Sequence, residues 1–139
     1  METFTNHTDA LRLGYNVTHY DSCGVCSTTQ DLAVYIDKPN LNRPTLICMG
    51  KSLLDFEMGL QCMKNIGFTH ECAEIWWYNV MNTATNCFWV CIYHLFSPSN
   101  YPNGTLNACI QCDEDESGPM FKLIAGRTRR NSYKFLKNL

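Results

Sequence analysis

Nine cysteines in 139 residues are the densest chemistry in this chain. They stand at Cys23, Cys26, Cys48, Cys62, Cys72, Cys87, Cys91, Cys109 and Cys112, about three to four times ordinary usage. Thiols at that density serve as cystines in an oxidising compartment or as metal ligands in a reducing one. Cys23-Gly-Val-Cys26 and Cys109-Ile-Gln-Cys112 have the ligand spacing of a four-cysteine zinc site. More than eighty residues separate them, however, and five cysteines would be left over. Cys23-Gly-Val-Cys26 also has the spacing of a thioredoxin-like redox pair, which needs a strand before it and a helix after it. Here it follows the polar HYDS and precedes STTQD. Structural cystines are therefore expected, with no metal and no cofactor. Nine is odd, so one cysteine is left for an intermolecular bond or an exposed thiol.

The remaining candidates for chemistry are thinner. His70 and Glu71 are followed by Glu74 where a zincin helix carries its second histidine, so these are expected to be solvated first-turn residues. No Gly-rich phosphate loop and no Gly-x-Ser-x-Gly turn is present. A Cys–His nucleophile would need a free thiol, which eight paired cysteines leave scarce. The expectation is a protein that is not an enzyme.

Charge is gathered into two opposed knots near one end. Asp113, Glu114, Asp115 and Glu116 lack the alternating spacing of an EF-hand calcium loop and read as a solvated acidic turn. Arg127, Arg129 and Arg130 form either a convertase-type cleavage site or a basic patch that pairs with acids. Clustered charges set register between partners better than isolated pairs do. Both knots are read as assembly contacts, on the same or a neighbouring subunit. The net charge of −2 excludes a general nucleic-acid binder.

Three N-glycosylation acceptors, at Asn6, Asn16 and Asn103, support an oxidising, secretory compartment. The opening METFTNHTDALRLG has no apolar run and is not itself a signal peptide. The aromatic stretch from Ile75 to Phe96 has too many polar breaks for a membrane span and reads as buried. The Trp76, Trp77 and Trp89 rings within it are expected in the core rather than as stacking platforms for a sugar.

The elements that position these residues follow from periodicity. The segments 31–37 and 45–49 have strand composition, separated by the turn-rich KPNLNRP. From Ser52 the period becomes helical, with Leu53, Phe56, Leu60 and Met63 on one face and Ser52 with Asp55 as a capping box. That helix stops near residues 65–67. A second runs from Thr69 to just before Ser97-Pro98, with Cys72, Trp76, Val80, Thr83, Cys87, Val90 or Cys91, and His94 on one stripe. The short link predicts an antiparallel hairpin, which brings Cys62 near Cys72 as a cystine. With 45% apolar residues and the length of one domain, the fold class expected is α+β. It comprises a polar glycosylated arm over 1–20, a stapled globular domain over 21–126 with the hairpin and short strands, and a basic tail over 127–139.

The words CDEDESGP (112–119) and AGRTRRNS (125–132) resemble Cys-rich secreted glycoproteins of algae and protists. That resemblance implies a structural subunit of extracellular fibrils or flagellar hairs. The residues point the same way on their own account. An odd cysteine and polar arms at both ends suit a homo-oligomer or filament of like subunits, decorated with N-linked glycans. The alternatives are a monomeric secreted module that binds carbohydrate or protein, and then a secreted Cys-rich enzyme.

Overall fold

The computed structural model describes residues 2–94, 96–128 and 131–132. Its elements are α1 (His7–Arg12), α2 (Thr29–Asp37), α3 (Asn42–Ser52), α4 (Phe56–Ile66), α5 (His70–Asn86), α6 (Phe88–Tyr93), α7 (Ala108–Glu116) and α8 (Gly118–Ala125). The α+β expectation is overturned: among the described residues there is no strand, only an isolated bridge from Asn100 to Leu106.

Local capping explains why the two expected strands are helical. Thr28 caps α2, accepting from the Asp31 amide at 3.1 Å and donating to the Asp31 carboxylate. That reciprocal pair fixes a helix start where β-branched composition alone suggests a strand. In α3, Pro44 falls in the first turn, where its missing N–H costs no intrahelical bond. Asn6, Asp55 and Asn107 cap α1, α4 and α7, each side chain accepting from the amide three residues on. The expected hairpin is present as α4 and α5, joined through Gly67 at φ +122°. Its second helix is shorter than the periodicity predicts, breaking at Cys87 into α5 and α6.

The core sits under α5. Tyr35, Phe68, Trp76 and Phe121 form a run of ring contacts, with successive centroids 5.8, 5.6 and 4.9 Å apart. Leu41, Met63, Ala73 and Ala125 fill the space around them. Polar ends inside this core are satisfied, since Trp76 Nε1 donates to Tyr35 Oη at 3.1 Å. The turn carrying Cys26 lies on the end of α8, through Val25 N to Ile124 O and Cys26 N to Ala125 O. Gly24 and Gly126 meet there so closely that a Cβ on either would collide with the other's backbone.

Asp31 is fully buried and belongs to two helices at once. Besides its own cap it accepts from the Thr69 amide at 2.8 Å and the Thr69 hydroxyl at 3.0 Å, holding the start of α5. Asp31→Ala is expected to lower the unfolding free energy by about 2–3 kcal/mol, because it strands buried donors. Asp31→Asn, which keeps one acceptor, is expected to cost about half of that. Urea midpoints at unchanged slope would check both, and a loss near zero for alanine would remove Asp31 from this role.

Candidate functional site

The cysteines resolve into four cystines and one thiol. Cys26 pairs with Cys72, Cys48 with Cys62, Cys87 with Cys112 and Cys91 with Cys109. Cys23 is free and exposed. The expected Cys62–Cys72 bridge is not formed. Each of those cysteines instead reaches outside the hairpin, Cys62 to α3 and Cys72 to the turn before α2. Cys26, Cys109 and Cys112 all lie in cystines, so the two C-x-x-C pairs do not converge on a zinc site.

Two of these cystines create the most unusual surface of the molecule. Cys87 and Cys91 are one turn apart, and both bond to α7. They therefore take the inward side of α6, and the helical period turns its other side chains outward. Phe88, Trp89, Ile92 and Tyr93 face solvent, with Trp89 73% and Tyr93 83% exposed, and Phe96 beyond the helix is 97% exposed. This corrects the expectation that the whole aromatic stretch is buried. Trp76 and Trp77 are partly buried, and Trp77 donates to Ser52 Oγ at 2.8 Å, whereas Trp89 is on the outside. No Asp, Glu, Lys or Arg occurs from Ile75 to Cys112. The α6 surface is thus apolar and free of formal charge along its own chain.

A cavity of about 370 Å³ opens beside α5, α7 and α8, with Trp76 and Phe121 as apolar walls. Asn79, Asp113, Glu114 and Lys122 bring polar groups to it. Asp113, the first residue of the acid run, accepts from Asn79 at 3.0 Å and from the Thr83 hydroxyl, which ties α7 to α5. Asp115 accepts from Gln111 at 2.8 Å within its own helix, and the Glu116 carbonyl accepts from Asn82. The run is the last part of a helix rather than a turn. Among the described residues no cluster of three His, Cys, Asp or Glu side chains suits a metal ion.

Arg127 is fully buried inside its own chain. Its guanidinium donates to the Thr18 carbonyl and to Thr18 Oγ1, each at 2.9 Å, and burial pulls its pKa below the ordinary arginine value. Asn131 supports the same strap by donating to the Tyr20 carbonyl at 2.9 Å. Sequence reasoning missed this inward role. The available signal was Gly126, whose positive φ of 69° turns the chain back onto the core just before Arg127. Arg129 and Arg130 lie outside the described residues. Asn6, Asn16 and Asn103 are all exposed. Asn6 also serves as the α1 cap, and Asn103 accepts from the Thr105 hydroxyl at 2.7 Å.

Among the described residues no helix is long and apolar enough to cross a membrane. No curated protein and no solved structure matches the chain. Residues 56–134, more than half of its length, match a family of unknown function, DUF8771. The match spans α4 to α8 and takes in the cavity walls, Arg127 and both cystines that pin α6 to α7. Through that shared stretch the chain belongs to the DUF8771 family.

Proposed function

We propose that the chain is a structural subunit of a secreted, N-glycosylated extracellular assembly, and that it docks onto a second copy of itself through the outer side of α6. The observation that carries this reading is that two cystines hold α6 with its apolar side chains in solvent. Phe88, Trp89, Ile92, Tyr93 and Phe96 are 43–97% exposed. At roughly 200 Å² per large side chain they offer about 600–700 Å², close to the ~800 Å² that one side of a standard protein interface buries. Four cystines suit an oxidising compartment, and three exposed asparagines in acceptor triplets suit the secretory route. The resemblance of residues 112–119 and 125–132 to fibril-forming glycoproteins is in keeping with it.

Sedimentation velocity on secreted protein tests the proposal. The wild type is expected to self-associate with a dissociation constant in the micromolar range or tighter. Trp89→Ala and Tyr93→Ala are each expected to weaken that by about 30-fold or more, since buried Trp and Tyr anchors are worth about 2 kcal/mol or more each. The cystine map of each variant should be unchanged. A wild type that stays monomeric up to roughly 100 μM would overturn the reading. It would favour a second one, a monomeric binding module using the cavity that Trp76 and Phe121 help to line.

A further inference from the structure

Cys23 is free and exposed in a chain whose other eight cysteines are all paired. Its sulfur lies 3.8 Å from Nε2 of His19. The other ring nitrogen, Nδ1, is 3.0 Å from the Tyr20 carbonyl. A carbonyl only accepts, so Nδ1 carries the proton and Nε2 of the neutral ring presents its lone pair to the thiol. The ring is held by more than this bond. Arg127 grips Thr18 immediately before it, and Asn131 grips the Tyr20 carbonyl immediately after. A nucleophile, a base in reach of it and a third group orienting the base are the parts that thiol chemistry needs.

We propose that Cys23 and His19 form a thiol–disulfide exchange site that takes a low-molecular-weight aliphatic disulfide and ends as a mixed disulfide on Cys23. His19 Nε2 accepts the Cys23 proton, and the thiolate attacks one sulfur of the incoming disulfide. A new S–S bond forms at Cys23 as the old one breaks, and the departing thiolate takes the proton back from His19. The disulfide bond is conserved, so no further oxidant enters. The neighbouring Cys26–Cys72 cystine is no competitor, because both of its sulfurs belong to fully buried residues. This inference does not rest on docking through α6, whose residues it does not use.

The test exposes the full chain, cystines intact and dilute, to excess oxidised glutathione and follows the adduct by mass spectrometry. One glutathione per chain is expected, mapping to Cys23, and none on Cys23→Ser. His19→Asn can keep a donor to the Tyr20 carbonyl while removing the base. It should slow the reaction at pH 7 by about tenfold, and by no more than about 30-fold, because an ordinary thiol is already a few per cent ionised there. The groups facing His19 are Arg127, Asp21 and Cys23, with Asp21 paired to Lys122. Burial, aided by Arg127, lowers the His19 pKa from 6.5, so its base form persists below that pH. The wild-type rate should therefore stay level through pH 6.5 and fall only below it, whereas His19→Asn should lose about tenfold per pH unit throughout. The pH profile of the wild type alone decides the matter if the variant fails to fold. Equal rates and profiles for the two would overturn the proposal. So would an adduct on another sulfur, or a Cys23–Cys26 bond with Cys72 released.

Discussion

Replacing both Cys26 and Cys72 by alanine should lower the unfolding free energy by about 4 kcal/mol and the melting temperature by about 15 °C. Their bond closes a sequence separation of 46 residues, the longest of the four, and loop-closure entropy grows with that length. It also joins the turn on α8 to the first turn of α5 through two fully buried residues. Removing a cystine of the α6–α7 pair should cost much less. Cys91–Cys109 lies inside the loop closed by Cys87–Cys112, so either one leaves most of the chain between them constrained. Calorimetry on the two sets of variants checks the order. A loss below about 1 kcal/mol for the Cys26/Cys72 pair would show that core packing already holds this corner.

Arg127→Met should cost about 3 kcal/mol, and Arg127→Lys should recover less than half of it. Methionine fills similar space, so the loss reports the bonds to Thr18 rather than a cavity. Lysine keeps the charge, but its single ammonium cannot reproduce the two-headed grip on the Thr18 carbonyl and hydroxyl. The effect should be local as well as global. Hydrogen exchange in residues 17–21 should rise more than in α4 or α5, because Arg127 and Asn131 are the clamps on that strap. Full recovery by lysine would mean that charge alone matters there.

The two helices of the hairpin were legible because Leu60 and Met63 on one, and Cys72 and Trp76 on the other, repeat at helical spacing and are packed inward. Residues 31–37 were not legible as helix. Their composition favours a strand, and the deciding hydrogen bonds are the Thr28–Asp31 cap and the long-range bond from Thr69 to Asp31. The first was visible only as a residue pair without an apolar period behind it. The second joins residues 38 apart, which no local pattern reveals. Trp89 was assigned to the core for a related reason. Periodicity identifies a helix stripe but not which side faces inward, and at α6 the cystine partners on α7 decide that. Arg127 carried a surface residue's usual expectation and is buried because a carbonyl far away in sequence needs its fork. His19 opposite Cys23 had only a spacing of four residues to announce it.

The four cystines fall into two groups that do not overlap. One lies within residues 26–72 and the other within residues 87–112. The chain from 73 to 86, nearly all of α5, is bridged by none of them. A protease that nicks the exposed Pro102-Asn103-Gly104 turn would therefore leave one covalent particle, since Cys91–Cys109 and Cys87–Cys112 both span the cut. A cut in α5 beyond Cys72 would part the two groups with only noncovalent contacts left to hold them. The helix most central to the core is thus also the one whose backbone integrity no crosslink backs up, and its protection from cleavage rests entirely on remaining folded.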